Sequence, residues 1–478
     1  MTIASLPFLA FITVVAFLNI ISPSLWWRQA LMLVVNFAFL STFASSLVMF
    51  LPLCGFLAAS YGGLRLITTT RSDRLHAAVI VFIIMMFFWL KRYSFLPPET
   101  WLPFTYTTIG LSYIFFRNLH LLIDAHEQAG TPSEYGVIRP IAFLNYTLNF
   151  TSLVSGPIQL FEDYAQDQLR ITRPRLEWTD VGSAIERIVV GFFKVIVLSA
   201  ILNSVHREAL TALSGSSDLG NQINEALLTS VGYTLYLYCN FSGYTDIVIG
   251  AARFYGLRLP ENFNYPFSAT SFIEFWSRWH ITLSGWLRRY VYNPLVMTLM
   301  RRVPSRRFVA LQNISAIFVT FFLIGLWHGQ TSVFVCFGVL QGLGVSGNRL
   351  YQLVMAAKLG NGRYQAITAS PWYRILARGL TFTYFTLTLF FFWGSWPDIG
   401  MTLHALGVAG CLVFMFALFG CASIVLAFTE AVRLRAGSHN FLVSRYTRTV
   451  WVTVLGAVAV AALLLLSTPA PDIVYKTF

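Results

Sequence analysis

Runs of apolar residues separated by short polar connections recur along the whole chain. The candidate spans are Leu6–Ile21, Leu31–Ser60, Ala77–Leu90, Leu102–Ile123, Ile138–Leu153, Ile188–Leu202, Ala226–Gly250, Phe308–Leu326, Ser332–Val345, Leu380–Trp393, Leu403–Ala427 and Val450–Leu466. A helix needs roughly 20 apolar residues to cross a bilayer. Several runs are shorter than that, and Leu31–Ser60 is longer. The pattern predicts an all-α polytopic membrane protein with about 11 to 13 membrane-embedded helices, some tilted or re-entrant. The first charged residue is Arg28. A secretory leader would begin with a basic segment, so the first run is expected to stay in the membrane with Trp26-Trp27-Arg28 at the cytoplasmic interface. Arg28 and the cluster Arg65, Arg71 and Arg74 both favour the cytosol. Leu31–Ser60 must therefore cross twice as short helices or re-enter.

Three segments interrupt the apolar pattern. Asp124–Arg139 and Phe161–Arg187 are rich in mixed charge and read as connections, the second a solvent-facing loop with a short helix. Arg253–Arg307 differs in kind. Pro260, Pro266, Pro294 and Pro304 punctuate it, and Phe272, Phe275, Trp276, Trp279, Trp286, Tyr290 and Tyr292 alternate with Arg278, Arg288 and Arg289. Such a mixture suits short helices lying at the interface or dipping in from one face. Irregular backbone at that depth needs protein or a water-filled cavity around it. A re-entrant segment lining a cavity is expected, with His280 inside it.

Composition agrees with the spans. Of 478 residues, 56% are hydrophobic and 11% charged, where a soluble domain carries roughly 25% charged residues. Mean hydropathy is +0.65. Residues 1–478 are read as one integral-membrane domain. The net charge of +13 lies in the connections, at Arg65–Arg74, at Arg288, Arg289, Arg301, Arg302, Arg306 and Arg307, and at Arg433, Arg435, Arg445 and Arg448. Cytoplasmic loops obeying the positive-inside rule account for them. A basic cytosolic face would also attract a phosphate-bearing donor; nucleic acid is not expected. Cys54, Cys239, Cys336, Cys411 and Cys421 occupy apolar surroundings without metal-site spacing. They read as small buried hydrophobes, and no metal site is expected.

The candidate chemistry centres on two histidines. His328 ends the apolar run Phe322-Leu323-Ile324-Gly325-Leu326-Trp327-His328-Gly329. An ionisable side chain within a membrane segment is a functional candidate by default. An imidazole kept neutral by desolvation suits a general base. No serine or cysteine nucleophile accompanies it, so the attacking group is expected to come from a substrate hydroxyl. His280 lies in Phe275-Trp276-Ser277-Arg278-Trp279-His280-Ile281-Thr282-Leu283-Ser284. If that stretch is helical, His280 and Ser284 share a face with Arg278 directed elsewhere. A third group, Asn240, Ser242 and Asp246, is spaced for one helix inside an apolar run. These three serve either as polar glue between helices or as a substrate-facing set. On position alone, His328 could equally be a histidine hydrogen-bonded in a helix bundle, and His280 an interfacial histidine among tryptophans.

Together the segments resemble the membrane-bound O-acyltransferase family, in its bacterial branch with alginate O-acetyltransferase and teichoic-acid D-alanylation transferase. The similarity rests on Tyr238-Cys239-Asn240-Phe241-Ser242-Gly243-Tyr244-Thr245-Asp246, Asn262-Phe263-Asn264-Tyr265-Pro266, the His280 segment, and Trp286-Leu287-Arg288-Arg289-Tyr290-Val291-Tyr292-Asn293-Pro294-Leu295. It continues in Gly325-Leu326-Trp327-His328-Gly329, and upstream in Gly110-Leu111-Ser112-Tyr113 and Ser155-Gly156-Pro157-Ile158. It covers about Leu102 to Val345. Two positions depart from the branch pattern: Asn240 and Arg289 stand where aspartate is common.

The resemblance implies a ring of helices around a central funnel, with both histidines near its narrowest point. His328 and His280 are its implied catalytic pair. Trp279, Trp327, Arg278, Asn240, Ser242, Asp246 and Ser284 are the implied donor- or substrate-positioning residues. No bound cofactor is expected. The implied donor is a cytosolic thioester, acetyl-CoA, and the implied acceptor an exported polysaccharide such as alginate or cellulose. The acyl group would reach it directly or through an extracytoplasmic carrier or transferase, in a bacterial inner membrane. Other readings are D-alanyl transfer to teichoic acid, a transporter or flippase for lipid-linked sugars, and an inactive scaffold in a polysaccharide synthase. The flippase reading lacks the paired broken helices of an inverted repeat.

Overall fold

The computed structural model describes residues 1–70, 72–127, 138–170, 177–438 and 444–465. No strand occurs among them; the regular structure is helical, with one isolated antiparallel bridge among the turns and loops. The N-terminal helices are α1 (Leu6–Ile21), α2 (Leu25–Ser41), α3 (Leu51–Thr70), α4 (Asp73–Leu90), α5 (Leu111–Glu127), α6 (Pro140–Thr147), α7 (Phe161–Gln168) and α8 (Trp178–Phe193). A π-helical turn at Lys194–Leu198 leads to α9 (Ser199–Gly215) and the long α10 (Leu219–Arg253). Short helices α11 (Phe272–Trp276), α12 (Ile281–Leu287) and α13 (Asn293–Arg302) precede α14 (Val309–His328) and α15 (Ser332–Leu359). The chain ends with α16 (Asn361–Ala369), α17 (Pro371–Thr388), α18 (Phe390–Trp393), α19 (Trp396–Ser438) and α20 (Arg445–Leu465). α19 breaks at Gly407, whose φ of 58° suits a residue without a Cβ.

Eight helical stretches among the described residues are long and apolar enough to cross a membrane, and α1 and α2 are shorter apolar helices. Leu31–Ser60 resolves into α2 and α3 with a break between them. Two other runs are only partly helical. Leu102–Ile123 becomes helix at Leu111, and Ile138–Leu153 contains the eight-residue α6 followed by turns.

The contacts divide the chain into two compact units. The first comprises Met1–Val195 and Phe241–Glu261. Buried polar side chains explain why the run at 138–153 is not one continuous helix. Arg117 of α5 donates to the carbonyls of Tyr146 (3.2 Å), Thr147 (2.9 Å) and Ser152 (2.8 Å), satisfying the backbone where α6 stops. Asn145 donates to Gln29 Oε1 (3.0 Å), and the Phe150 amide donates to Asn36 Oδ1 (2.9 Å). Arg28, expected at an interface, is buried and donates to the Arg170 carbonyl. Within Phe161–Arg187, α7 buries Phe161, Tyr164, Ala165 and Gln168, and residues from Trp178 onward belong to α8.

The second unit comprises Ile196–Asn240 and Asn262–Pro471. Its tightest pairing is α14 against α15. A Cβ on Gly325 would come within 2.3 Å of Gly338 Cα, so only glycine permits this approach. Small residues at such crossings let helix backbones pack closely in a membrane. Cys54 and Cys421 are exposed rather than buried as expected, and Cys239, Cys336 and Cys411 are partly buried.

Candidate active site

The polar centre of the second unit is built by residues 262–287. α11 ends at Trp276, and the chain turns back so that Phe263 and Trp279 form the isolated antiparallel bridge. The Asn264 amide donates to the Arg278 carbonyl (2.9 Å), and the Ile281 amide to the Asn262 carbonyl (3.0 Å). This pairing satisfies the irregular backbone internally, the condition a re-entrant segment would have to meet. His280 follows the bridge in the left-handed conformation, φ 47° and ψ 52°, immediately before α12. For a non-glycine residue that conformation costs about 1–2 kcal/mol, offset here by the flanking hydrogen bonds. His280 is therefore not on a helix face shared with Ser284. Ser284 lies one turn into α12, its amide donating to the His280 carbonyl (3.1 Å).

The side chain that fixes this turn is Asn262. Its Oδ1 accepts from the Thr282 amide (3.2 Å) and the Thr282 hydroxyl (2.8 Å), and lies 3.3 Å from His280 Nδ1. Both Asn262 and His280 are buried. Burial penalises the imidazolium and pushes the His280 pKa down from its usual value, so the ring is neutral near pH 7. Asn262 Nδ2 and Ser284 Oγ are also buried, and neither has a hydrogen-bond partner among the described residues. These are polar atoms that a substrate hydroxyl or carbonyl could engage.

His328 is the last residue of α14 and is buried among aromatic rings: Trp327 at 4.5 Å, Phe392 at 5.0 Å and Phe337 at 5.9 Å between centroids. A Cβ on the next residue, Gly329, would strike the Phe334 ring at 2.0 Å, which requires glycine beside the histidine. The Trp327 indole also meets the His280 ring, at 6.3 Å. One tryptophan thus touches both histidines, which lie far apart in sequence.

The other candidates fall into distinct settings. Trp279 is buried in an aromatic cluster with Phe385 (5.0 Å), Phe263 (5.1 Å), Phe275 (5.6 Å) and Tyr238 (6.1 Å). Its ring is a wall that holds the His280 turn in place. Arg278 spends its guanidinium on Glu274 Oε1 (2.8 Å from Nη2) and the Asn264 carbonyl (3.3 Å), bracing the same turn. Asn240 is fully buried in α10. Ser242 and Asp246 belong to the first unit. There Asp246 accepts from Arg187 Nε (3.0 Å) and Lys194 Nζ (2.7 Å), and Arg187 also pairs with Glu261. Asp246 is thus the centre of an ion-pair network. Arg289 is exposed, its guanidinium 5.3 Å from the Tyr290 ring.

Sequence reasoning gave no role to Asn262 or Gln341. Gln341 Oε1 accepts from Trp276 Nε1 (3.3 Å), and its Nε2 donates to Thr388 Oγ1 (2.8 Å), tying α11 to α15 and α17. Asn262 lies in a quoted motif, but nothing local to it announces a partner eighteen residues away. For Gln341 the available signal is an amide inside an apolar helix. Among the described residues, no group of three or more histidine, cysteine or acidic side chains could hold a metal ion.

Comparison with known proteins adds an independent line. A model of the membrane-bound O-acyltransferase family matches residues 29–392. A teichoic acid D-alanyltransferase of Bacillus subtilis (strain 168) is 27% identical over 300 residues, which is 63% of this chain and 71% of that protein. A probable alginate O-acetylase AlgI of Pseudomonas aeruginosa is 29% identical over 292 residues, covering 60% of this chain and 52% of its own length. A peptidoglycan O-acetyltransferase of Helicobacter pylori is 31% identical over 217 residues, 44% of this chain and 38% of that protein. The chain thus spans about half or less of the length of these two O-acetyl-transferring relatives.

Proposed function

Since the chain belongs to the membrane-bound O-acyltransferase family, a family of multi-pass membrane proteins, we propose that it moves an acetyl group from a cytosolic thioester, acetyl-CoA, to an acceptor hydroxyl. The acceptor is an exported polysaccharide such as alginate or cellulose, acylated directly or through an extracytoplasmic carrier or transferase. The membrane is the bacterial inner membrane. His328 takes the proton of the acceptor hydroxyl as its oxygen attacks the thioester carbonyl. The carbon–sulfur bond then breaks, and the thiolate leaves with the proton from His328. His280, buried and neutral, positions the acceptor or stabilises the carbonyl oxygen as it gains charge, with Ser284 Oγ and Asn262 Nδ2 beside it. Trp327 packs against both rings and sets their separation; Trp279 and Arg278 hold the turn. Holding both reactants in one water-poor site supplies the orientation advantage.

The observation that carries this reading is the convergence of the two motif histidines, both buried, on the single indole of Trp327. A flippase reading gives that convergence no purpose. D-alanyl transfer is the second reading, favoured by the teichoic acid D-alanyltransferase among the relatives; it uses the same histidine chemistry on a different acyl group. The test is thiol release from acetyl-CoA by purified protein in nanodiscs, with and without added polysaccharide, in wild type and His328→Ala. Polymer-dependent release that disappears in the variant is expected. Equal release from both proteins refutes the role given to His328.

A further inference from the structure

A pocket of about 480 Å³ lies in the second unit, away from the histidines in sequence, and is lined by α15, α16, the start of α17 and the residues leading into α11. Asn348, Arg349, Gln352, Tyr364, Tyr373 and Ser271 give it a polar wall, and no carboxylate lines it among the described residues. The nearest acid in sequence to this wall, Glu274, is already engaged: it accepts from Arg278 and from Thr270. Tyr364 and Tyr373 contribute their rings to that wall. Asn348 Oδ1 accepts from the Ile273 amide (3.1 Å), which fixes Asn348 within it.

The charge pattern is one-sided. From Phe275 to Pro397 the chain carries twelve arginines and lysines and no aspartate or glutamate. Arg349 is in the wall itself, and Lys358, Arg363 and Arg374 belong to the three helices that contribute to it. An anion there meets no carboxylate competitor. The same helices also present bare apolar and aromatic surface: Trp372 is 77% exposed and Leu350 50% exposed, with Tyr351, Leu359 and Ile367 exposed as well. α15 and α17 are both of membrane-spanning length and apolarity, and the short α16 joins them. Their joined ends therefore sit where spans meet water. Exposed tryptophan and tyrosine are typical of headgroup level, and basic groups at that level attract anionic lipid.

We propose that this pocket holds the headgroup of an anionic phospholipid, its phosphate against Arg349 and the amides of Asn348 and Gln352, its acyl chains along the exposed apolar face of α15. A soluble phosphate ester would satisfy Arg349 equally but would make no use of the Trp372 and Leu350 surface. Lipid binding at this pocket is independent of the proposed reaction and is measured without turnover.

Detergent-purified protein is titrated separately with short-chain phosphatidylglycerol, short-chain phosphatidylcholine and adenosine 3′,5′-bisphosphate, and the thermal midpoint is followed. Phosphatidylglycerol raises the midpoint saturably, phosphatidylcholine does not, and Arg349→Gln weakens the phosphatidylglycerol response about tenfold, as expected for loss of a charge-assisted phosphate contact. If Arg349→Gln does not fold, Thr368→Trp fills the pocket with the arginine intact and must abolish the same response. Equal responses to the two lipids, an unchanged response in either variant, or a response confined to the bisphosphate overturns the proposal.

Discussion

Replacing Asn262 removes the acceptor that frames the His280 turn, together with a donor beside it. Three donor atoms converge on its Oδ1: the Thr282 amide at 3.2 Å, the Thr282 hydroxyl at 2.8 Å and His280 Nδ1 at 3.3 Å. In Asn262→Ala each loses its acceptor in a region where Asn262 and His280 are buried and Thr282 is partly so. A hydrogen bond contributes about 0.5–1.5 kcal/mol net, and a stranded buried donor costs about 1–3 kcal/mol. Water reaches Thr282 in part, so the expected total is about 2–4 kcal/mol. That appears first as a lower thermal midpoint. His280 also loses the anchor that holds its left-handed turn, and a shift of about 1 Å at a reacting group costs roughly a hundredfold in rate. Thiol release by Asn262→Ala is therefore expected to fall roughly a hundredfold at temperatures where the variant is still folded. Asn262→Asp keeps the acceptor but puts a carboxylate next to the imidazole. Burial alone holds the His280 pKa down; a neighbouring negative charge moves it back up. The acidic limb of the rate profile should then move to higher pH, with activity lost on acidification where wild type stays flat. A wild-type midpoint and rate in Asn262→Ala would refute this account of the turn.

Other variants probe the surroundings. Gly325→Ala forces a methyl within 2.3 Å of Gly338 Cα and should cost about 1–3 kcal/mol by overpacking, read as a lower thermal midpoint and reduced turnover because Trp327 and His328 follow on the same helix. Gly62→Ala on the exposed side of α3 meets nothing within 4 Å and should leave the midpoint unchanged or slightly raised. Asp246→Asn removes the shared carboxylate of Arg187 and Lys194. The expected result is a lower midpoint; lost turnover at an unchanged midpoint would return Asp246 to a substrate-facing role.

The sequence by itself determined the class of the protein. Apolar runs and scarce charge leave no soluble fold open, and run positions survive closely: Leu6–Ile21 is α1, and Val450–Leu466 lies almost wholly within α20. It also singled out His280 and His328, because an ionisable ring in an apolar or aromatic run is costly wherever it ends up. What it could not determine was which apolar runs are continuous helices. The run at 138–153 is apolar enough, yet it turns after α6, since Arg117, remote in sequence, satisfies the carbonyls there. Nor could it give the backbone of the His280 turn. Spacing allowed a helical face shared by His280 and Ser284, but the bridge to Phe263 and the Asn262 acceptor favour a left-handed residue at His280 instead. The division of the third polar group was equally hidden. Asn240 and Asp246 share one helix, but Asp246 is taken up by cations from α8 and the turn beyond it. Hydrophobic patterning is local and is read along the chain. Which hydrogen-bond acceptor, cation or indole reaches a given side chain depends on contacts between distant segments, and only the folded structure decides those.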